Sequence, residues 1–174
     1  MRLYLMRHAD AVPRGTPGYT RDAQRPLTEA GLRQAAQAAW GLKRLKVAPE
    51  AILTSPYVRA RQTAEQVGRV LGPELPIREW PELRAEEAPA RTSAALKQMT
   101  AAEELLLIGH EPHLSAWVAE LIAGTAAQVQ MKKAGVACVE LDRLPPQAGA
   151  AVLRWLMTPK QLALIGRHDG DLAP

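Results

Sequence analysis

Apolar positions along this chain fall into two alternating rhythms. Short unbroken runs read as buried strands, and segments with apolar residues three and four apart read as amphipathic helices. Residues 3–6 form the first strand-like run. Thr28 stands where an N-cap belongs, ahead of a helix in which Leu32, Ala35, Ala36, Ala39 and Leu42 recur on one face. Residues 51–54 give a second strand. Ser55-Pro56 then reads as the cap and first-turn pair of another helix, with Ala60, Ala64, Val67 and Leu71 turned inward and Gly72-Pro73 as its stop. A short strand is expected at 76–79, a loop at 80–89, a helix over about 90–99, and a strand of central type at 104–108. Pro112 opens a helix carrying Trp117, Val118, Leu121 and Ile122. Residues 135–141 and 150–155 read as the last two strands, and from Thr158 the pattern supports a turn or two of helix and a frayed end.

Strands alternating with helices predict an α/β fold in three layers, α/β/α, around a mostly parallel sheet of about six strands. No repeat or linker interrupts the 174 residues, so one domain spanning 1–174 is expected, with the tail 158–174 peripheral. Hydrophobic residues make up 47% of the chain, enough for a sizeable core. Phe is absent, which leaves Leu, Val, Ile and Ala to fill that core. The one cysteine, Cys138, lies in an apolar run and reads as a small core residue. Trp40, Trp80, Trp117 and Trp155 read as packing residues. No segment has the length of a membrane span, and the first apolar run is too short for a signal peptide, so a soluble cytoplasmic protein is expected. The net charge of +4 suits anionic partners. No basic stripe interleaved with aromatics points to nucleic acid.

Reactive side chains gather where the predicted strands end. Arg7 and His8 follow the first strand, Ser55 and Arg59 the second, and His110 the strand at 104–108. If these strands are parallel neighbours, all three groups meet at the carboxyl edge of the sheet, where open α/β folds bind ligands. Helix N-termini at that edge favour an anion. Spacing alone therefore gives an anion site with a candidate nucleophile. His113, one turn further on, reads as a rim or surface residue, Lys132-Lys133 as a solvated turn, and His168 as exposed.

Four blocks make a more specific resemblance. Leu5-Met6-Arg7-His8-Ala9-Asp10 is similar to the Arg-His-Gly signature of the histidine phosphatase, or phosphoglycerate mutase-like, superfamily. Arg25-Pro26-Leu27-Thr28-Glu29-Ala30-Gly31 and Ser55-Pro56-Tyr57-Val58-Arg59-Ala60-Arg61-Gln62-Thr63 resemble the next two blocks. Ile108-Gly109-His110-Glu111-Pro112 resembles the fourth, and all four stand in the family's order. Chain length and block spacing look most like the SixA-type phosphohistidine phosphatases. The resemblance implies one antiparallel strand in the sheet. It makes His8 the nucleophile, Arg7 and Arg59 the ligands of the phosphoryl oxygens, and His110 a second histidine donating to phosphate as an imidazolium. It adds Arg25 as a further phosphate-side arginine and Asp22 as an acidic residue bordering the pocket. It implies no metal and no cofactor.

Ala9 departs from the usual glycine of the signature. The general acid is left open between Asp22 and a Glu in the stretch 82–87, where Glu82, Glu86 and Glu87 lie. A phosphorylated imidazole departs with less help than an alkoxide, and the connection 80–104 is short for a large cap. Both favour a phosphohistidine-containing protein as partner, such as a phosphotransfer domain or a phosphotransferase component. The alternatives are a phosphomonoesterase acting on small phosphoesters and a non-catalytic phosphohistidine-binding module.

Overall fold

The computed structural model describes residues 1–125 and 127–167. Six strands make one sheet in the order β3-β2-β4-β1-β5-β6. They are β1 (Arg2–Arg7), β2 (Ala51–Thr54), β3 (Ile77–Glu79), β4 (Glu104–Gly109), β5 (Val136–Glu140) and β6 (Val152–Met157). The first four in that order run parallel; β5 opposes both of its neighbours. This is the expected mostly parallel sheet with one antiparallel strand. Helices α1 (Glu29–Arg44), α2 (Val58–Leu71) and α5 (Pro159–Gly166) cover one face. Helices α3 (Pro89–Ala95) and α4 (His113–Ala123) cover the other.

Burial on both faces explains the unbroken apolar runs. In β1, Tyr4 and Met6 enter the core under α1 and α2, while Leu3 and Leu5 enter the core under α4. In β4 the same alternation sends Leu106 and Ile108 one way and Leu105 and Leu107 the other, all at 1% exposure or less. Each such side chain contributes about 1.5–3 kcal/mol relative to exposure, which is why β4 belongs at the centre. Cys138 sits in the same core, and burial pushes its thiol up to about 11, so it is an inert packing residue.

Several elements differ from the expected pattern. Helix α2 starts at Val58, with Tyr57 as its N-cap residue, two positions beyond the expected Ser55. Ser55 is still held by the sheet, its N–H donating to the Ile108 carbonyl at 2.9 Å. The stretch read as loop at 80–89 contains a 3₁₀ turn, Pro81–Leu83, whose Leu83 is fully buried beside Trp80. The helix expected over 90–99 divides into α3 and a 3₁₀ turn, Leu96–Met99. Strand β6 lies two residues later than expected. Trp40 is 44% exposed with the Lys43 ammonium over its ring, so it is a surface residue rather than a packing one.

Beyond Thr158 the chain makes two turns of helix, opened by a capping box in which Thr158 and Gln161 bond reciprocally. Leu162 of α5 is fully buried against α1. The helices approach closely because Gly41 lacks a side chain: a Cβ there would lie 2.3 Å from the Leu162 carbonyl oxygen. No helix among the described residues is long and apolar enough to cross a membrane. His168 lies outside the described residues.

Candidate active site

Pairing β4 with both β1 and β2 brings three strand ends together. Arg7 stands opposite Gly109, and Thr54 opposite Ile108. Each strand then releases its reactive residue at the same edge: Arg7 and His8 from β1, His110 from β4, and Arg59 from the first turn of α2. A hollow of about 440 Å³ is lined by Arg7, His8, Arg25, Arg59 and His110, with Glu111 and Lys133 at its wall. The candidates read from the sequence are thus brought together. Asp22 lines an adjoining groove of about 670 Å³, which shares Arg14, Arg25 and Glu111 with the hollow.

The hydrogen bonds of His8 define its protonation. Its Nδ1 lies 2.7 Å from the Ala9 carbonyl oxygen, which only accepts, so Nδ1 carries the proton. Arg59 donates from Nε to His8 Nε2 at 3.1 Å, so Nε2 keeps its lone pair. Burial pushes the imidazole down to about 3; the Ala9 bond opposes this, and the charges of Arg59, Arg7 and Lys133 reinforce it. At neutral pH His8 is therefore an uncharged imidazole with its Nε2 lone pair directed among arginines. Ala9 is fully buried without strain on this arrangement, its N–H donating to the Thr63 hydroxyl at 3.1 Å.

Arg59 is 2% exposed and tied on two sides. Beyond its bond to His8, it donates to the Asp22 backbone carbonyl at 2.7 Å and to the Asp22 carboxylate at 2.9 Å. Arg25 donates to the same carboxylate from Nε at 3.0 Å and Nη2 at 2.7 Å, and Arg14 donates to it at 2.8 Å. Burial alone would raise the Asp22 carboxyl. The Arg25 bond, the Arg59 charge and the Arg14 bond outweigh it and hold Asp22 well below the ordinary carboxylate range. Asp22 is thus a fixed anion that orients three arginines, and it has no proton to give at neutral pH. Arg7 is the least committed cation: Nη1 donates to the Met131 carbonyl at 2.9 Å, while the buried Nε has no partner among the described residues. Its N–H groups are those most available to an anion in the hollow.

His110 is 1% exposed, with Nε2 at 2.8 Å from the Ser55 hydroxyl and a buried Nδ1 that has no partner among the described residues. Burial, then the neighbouring His8 and Arg59, push it down to about 2, against the pull of Asp22. Surrounded by these groups alone, His110 is neutral; the imidazolium implied by the family resemblance belongs to a ring that donates to phosphate. Its ring lies tilted against both neighbours, with Tyr57 at 4.8 Å and His8 at 5.0 Å between centroids.

Two expectations are corrected. His113 is 2% exposed rather than at the rim, bonded at 2.9 Å to the Thr92 hydroxyl and stacked on Trp117. Thr92 already donates to the Glu82 carbonyl, so His113 must be the donor between them, which ties α4 to α3 and, through Thr92, to the segment before α3. Lys133 is no simple solvated turn: it donates to Asp10 at 2.6 Å and lines the hollow. Asp10 is placed by the Thr28 hydroxyl, and by a close approach of Gly31, where a Cβ would lie 1.9 Å from the Asp10 carbonyl oxygen. No local pattern announces Lys133, because its partner is 123 residues away. Glu111 was legible only as the neighbour of His110. Among the candidate acids at 82–87, Glu86 lines the adjoining groove and accepts from the Tyr57 hydroxyl, while Glu87 pairs with Arg91.

Three buried neutral histidines make the fold sensitive to acid. His8, His110 and His113 are held at about 3, 2 and 4, whereas in the unfolded chain they protonate near 6.5. The unfolded state therefore binds more protons below pH 6.5, and stability is lost as pH falls from there towards 4. Each histidine contributes up to about 1.4 kcal/mol per pH unit in that window. Urea unfolding at pH 7, 6 and 5 is expected to show midpoints falling steadily; a flat profile down to pH 5 would contradict burial of neutral rings.

A neutral imidazole facing fixed arginines at the carboxyl edge of an α/β sheet is equipped for phosphoryl chemistry. The comparisons agree. Residues 3–85 match the model of the histidine phosphatase superfamily, branch 1. Phosphohistidine phosphatase SixA of Escherichia coli K12 is 33% identical over 166 residues, covering 94% of this chain and 98% of its own. The structure of the protein histidine phosphatase SixA complexed with tungstate superposes with a TM-score of 0.79 at 34% identity, covering 93% of this chain and 99% of that one. Phosphoglycerate mutase from Bacillus anthracis shares the fold at a TM-score of 0.67 and 15% identity, with 95% and 96% covered. The chain belongs to the histidine phosphatase superfamily. Within that superfamily it is a hydrolase of the SixA type.

Proposed function

We propose that this protein hydrolyses phosphohistidine on a protein partner, through a phosphohistidine intermediate on His8. The observation that carries this reading is the His8 tautomer: Nδ1–H is engaged by Ala9, and the Nε2 lone pair lies among Arg59, Arg7 and Lys133. In-line attack by Nε2 on phosphorus forms the P–N bond as the bond to the leaving nitrogen breaks. Arg7 and Arg59 offset the charge on the equatorial oxygens. His110, neutral among its protein neighbours, gains proton affinity when a phosphoryl dianion enters beside it, which opposes the desolvation that otherwise keeps it uncharged. Water then attacks phosphorus, releases inorganic phosphate and returns the electron pair to Nε2.

A protein substrate is favoured by the mouth of the site. The segment after β3 folds down into the core through Trp80, Leu83 and Leu96, against Trp117 of α4, and contributes only Ala85 to the lining of the hollow and Ala85 and Glu86 to that of the groove. The hollow opens instead into the groove lined by Arg14, Tyr19 and Tyr57, wide enough for a side chain presented on a protein surface. The similarity to the E. coli phosphohistidine phosphatase points the same way. The test is kcat/KM for a phosphorylated phosphotransfer domain against that for an alkyl phosphate. A preference for the phosphoprotein of about 100-fold or more, some 2.7 kcal/mol of transition-state discrimination, is expected. Equal or reversed preference would assign the site to small phosphoesters. Tight binding of the phosphoprotein without turnover would make the chain a binding module.

A further inference from the structure

The stretch from Met131 to Gly135 is tied to the end of β1, and Lys133 sits at its middle. Arg7 Nη1 donates to the Met131 carbonyl at 2.9 Å, and the Arg7 N–H donates to the Gly135 carbonyl at 3.1 Å. Between them, the Ala134 N–H donates to the carbonyls of Arg7 at 3.0 Å and His8 at 3.3 Å. Ala134 is fully buried with φ at 57°, a left-handed backbone that a residue with a Cβ rarely adopts. Such strain persists only where the surroundings enforce it, and it clusters at active and ligand sites. Here the turn delivers the Lys133 side chain to the wall of the hollow that Arg7 and His8 also line.

The ammonium is placed without being used up. It donates to the Asp10 carboxylate at 2.6 Å, and the other oxygen of that carboxylate is held by the Thr28 hydroxyl at 2.9 Å. An ammonium carries three donors, and two of these have no protein acceptor among the described residues. Most other cations of the hollow are more committed: Arg14, Arg25 and Arg59 share the Asp22 carboxylate. Arg7 and Lys133 are the two with donors to spare, and one tied segment places both. The ion pair alone does not account for the strained turn. The side chains of Lys133 and Asp10 are 43% and 38% exposed, and pairs so open to water contribute little to stability. We propose that Lys133 is a phosphate-binding residue of this site, donating to a non-bridging oxygen of the substrate's phosphoryl group while Asp10 positions its ammonium. Burial first, and then the charges of Arg59, Arg7 and Lys133, hold the His8 imidazole down, so this ammonium acts within electrostatic reach of the nucleophile.

This role rests on the phosphatase reading of the site, and the experiment separates the two. Tungstate affinity is measured for the wild type, Lys133→Met and Lys133→Arg, together with kcat/KM for 4-nitrophenyl phosphate and for a phosphorylated phosphotransfer domain. Methionine keeps much of the stem and removes the charge. Loss of a charge-assisted donor is expected to weaken tungstate binding about 10- to 100-fold and to lower kcat/KM by a similar factor on both substrates. Lys133→Arg should recover most of that loss, since a guanidinium also donates to phosphoryl oxygens. If Lys133→Met does not fold, Lys133→Gln, whose amide can still donate to Asp10, carries the same expectation. Unchanged tungstate affinity in a folded variant would overturn the proposal, whatever the unfolding temperature does. A loss confined to the phosphoprotein would also overturn it, making Lys133 a contact for the partner's surface. A wild type that neither binds tungstate nor turns over either substrate would overturn the phosphatase reading itself, and this role with it.

Discussion

Replacing His8 with alanine is expected to lower kcat for phosphoryl transfer by at least about 10,000-fold, the scale on which enzymes lose activity when a covalent nucleophile is deleted. The loss should be in kcat rather than KM, because the arginines that grip the phosphoryl group remain. Stability should not fall with it. His8 is a buried imidazole whose main polar contacts are a bond to its own neighbour's carbonyl and one from Arg59, so its removal also relieves a desolvated ring. A variant that unfolds near the wild-type temperature, binds phosphate or tungstate with similar affinity and has no turnover meets every part of this expectation. Turnover within about tenfold of wild type would mean that another group attacks phosphorus.

The second large effect is expected at Arg59. This side chain sets the His8 ring through Nε and reaches the Asp22 backbone and carboxylate through its two terminal nitrogens. Removing one preorganised donor to transition-state charge costs about 100- to 1,000-fold in kcat, and Arg59→Ala removes the ring's orienting bond as well. Arg59→Lys is the more informative change. A lysine keeps the charge but is a point donor on a flexible stem, and it cannot hold three acceptors in one plane. It should therefore lose about 100-fold or more in kcat despite unchanged net charge. Thermal unfolding of Arg59→Lys and Asp22→Asn separates the roles: Arg59→Lys should destabilise modestly, because the partly solvated Asp22 keeps Arg14 and Arg25, whereas Asp22→Asn removes the carboxylate that all three arginines share and should destabilise more. Near-normal kcat in Arg59→Lys would show that charge alone suffices and that the fork geometry is incidental.

Much of this was legible in the sequence, and the reasons are physical. Runs such as 104–108 could only be strands buried on both faces, and reactive residues at the ends of three such runs had to meet if the strands were parallel neighbours. The placement of β4 between β1 and β2 is what makes them meet. The resemblance to the SixA type supplied the antiparallel strand and the pairing of Asp22 with the site. What remained hidden depends on distant partners or on burial. Ser55 looked like a helix cap because Ser-Pro commonly opens helices, but its hydroxyl is engaged by His110, 55 residues away, and its N–H by β4. His113 read as a rim or surface residue because nothing local says that Thr92, 21 residues away, bonds to it.

Protonation was the least legible property of all. The imidazolium expected at His110 follows from its place beside phosphate, whereas burial, His8 and Arg59 push its ring down to about 2 among its protein neighbours alone. The same logic separates the carboxyls. Asp22 and Glu111 lie near the same cations, but three arginine bonds fix the first as an anion, while burial raises the second, opposed by Ser115 and the Arg7 charge. Neither outcome can be read from residue type or spacing.

The central claim is that a phosphoryl group passes through His8. The most direct measurement is rapid acid-free quenching of the enzyme during turnover of a labelled phosphoprotein or phosphoester, followed by peptide mapping. The account predicts a label of up to one phosphoryl group per chain that is stable in alkali, lost in acid, carried by the peptide containing His8 and absent from His8→Ala. A label on another residue, or full turnover by His8→Ala with no trapped phosphoryl group, would contradict it.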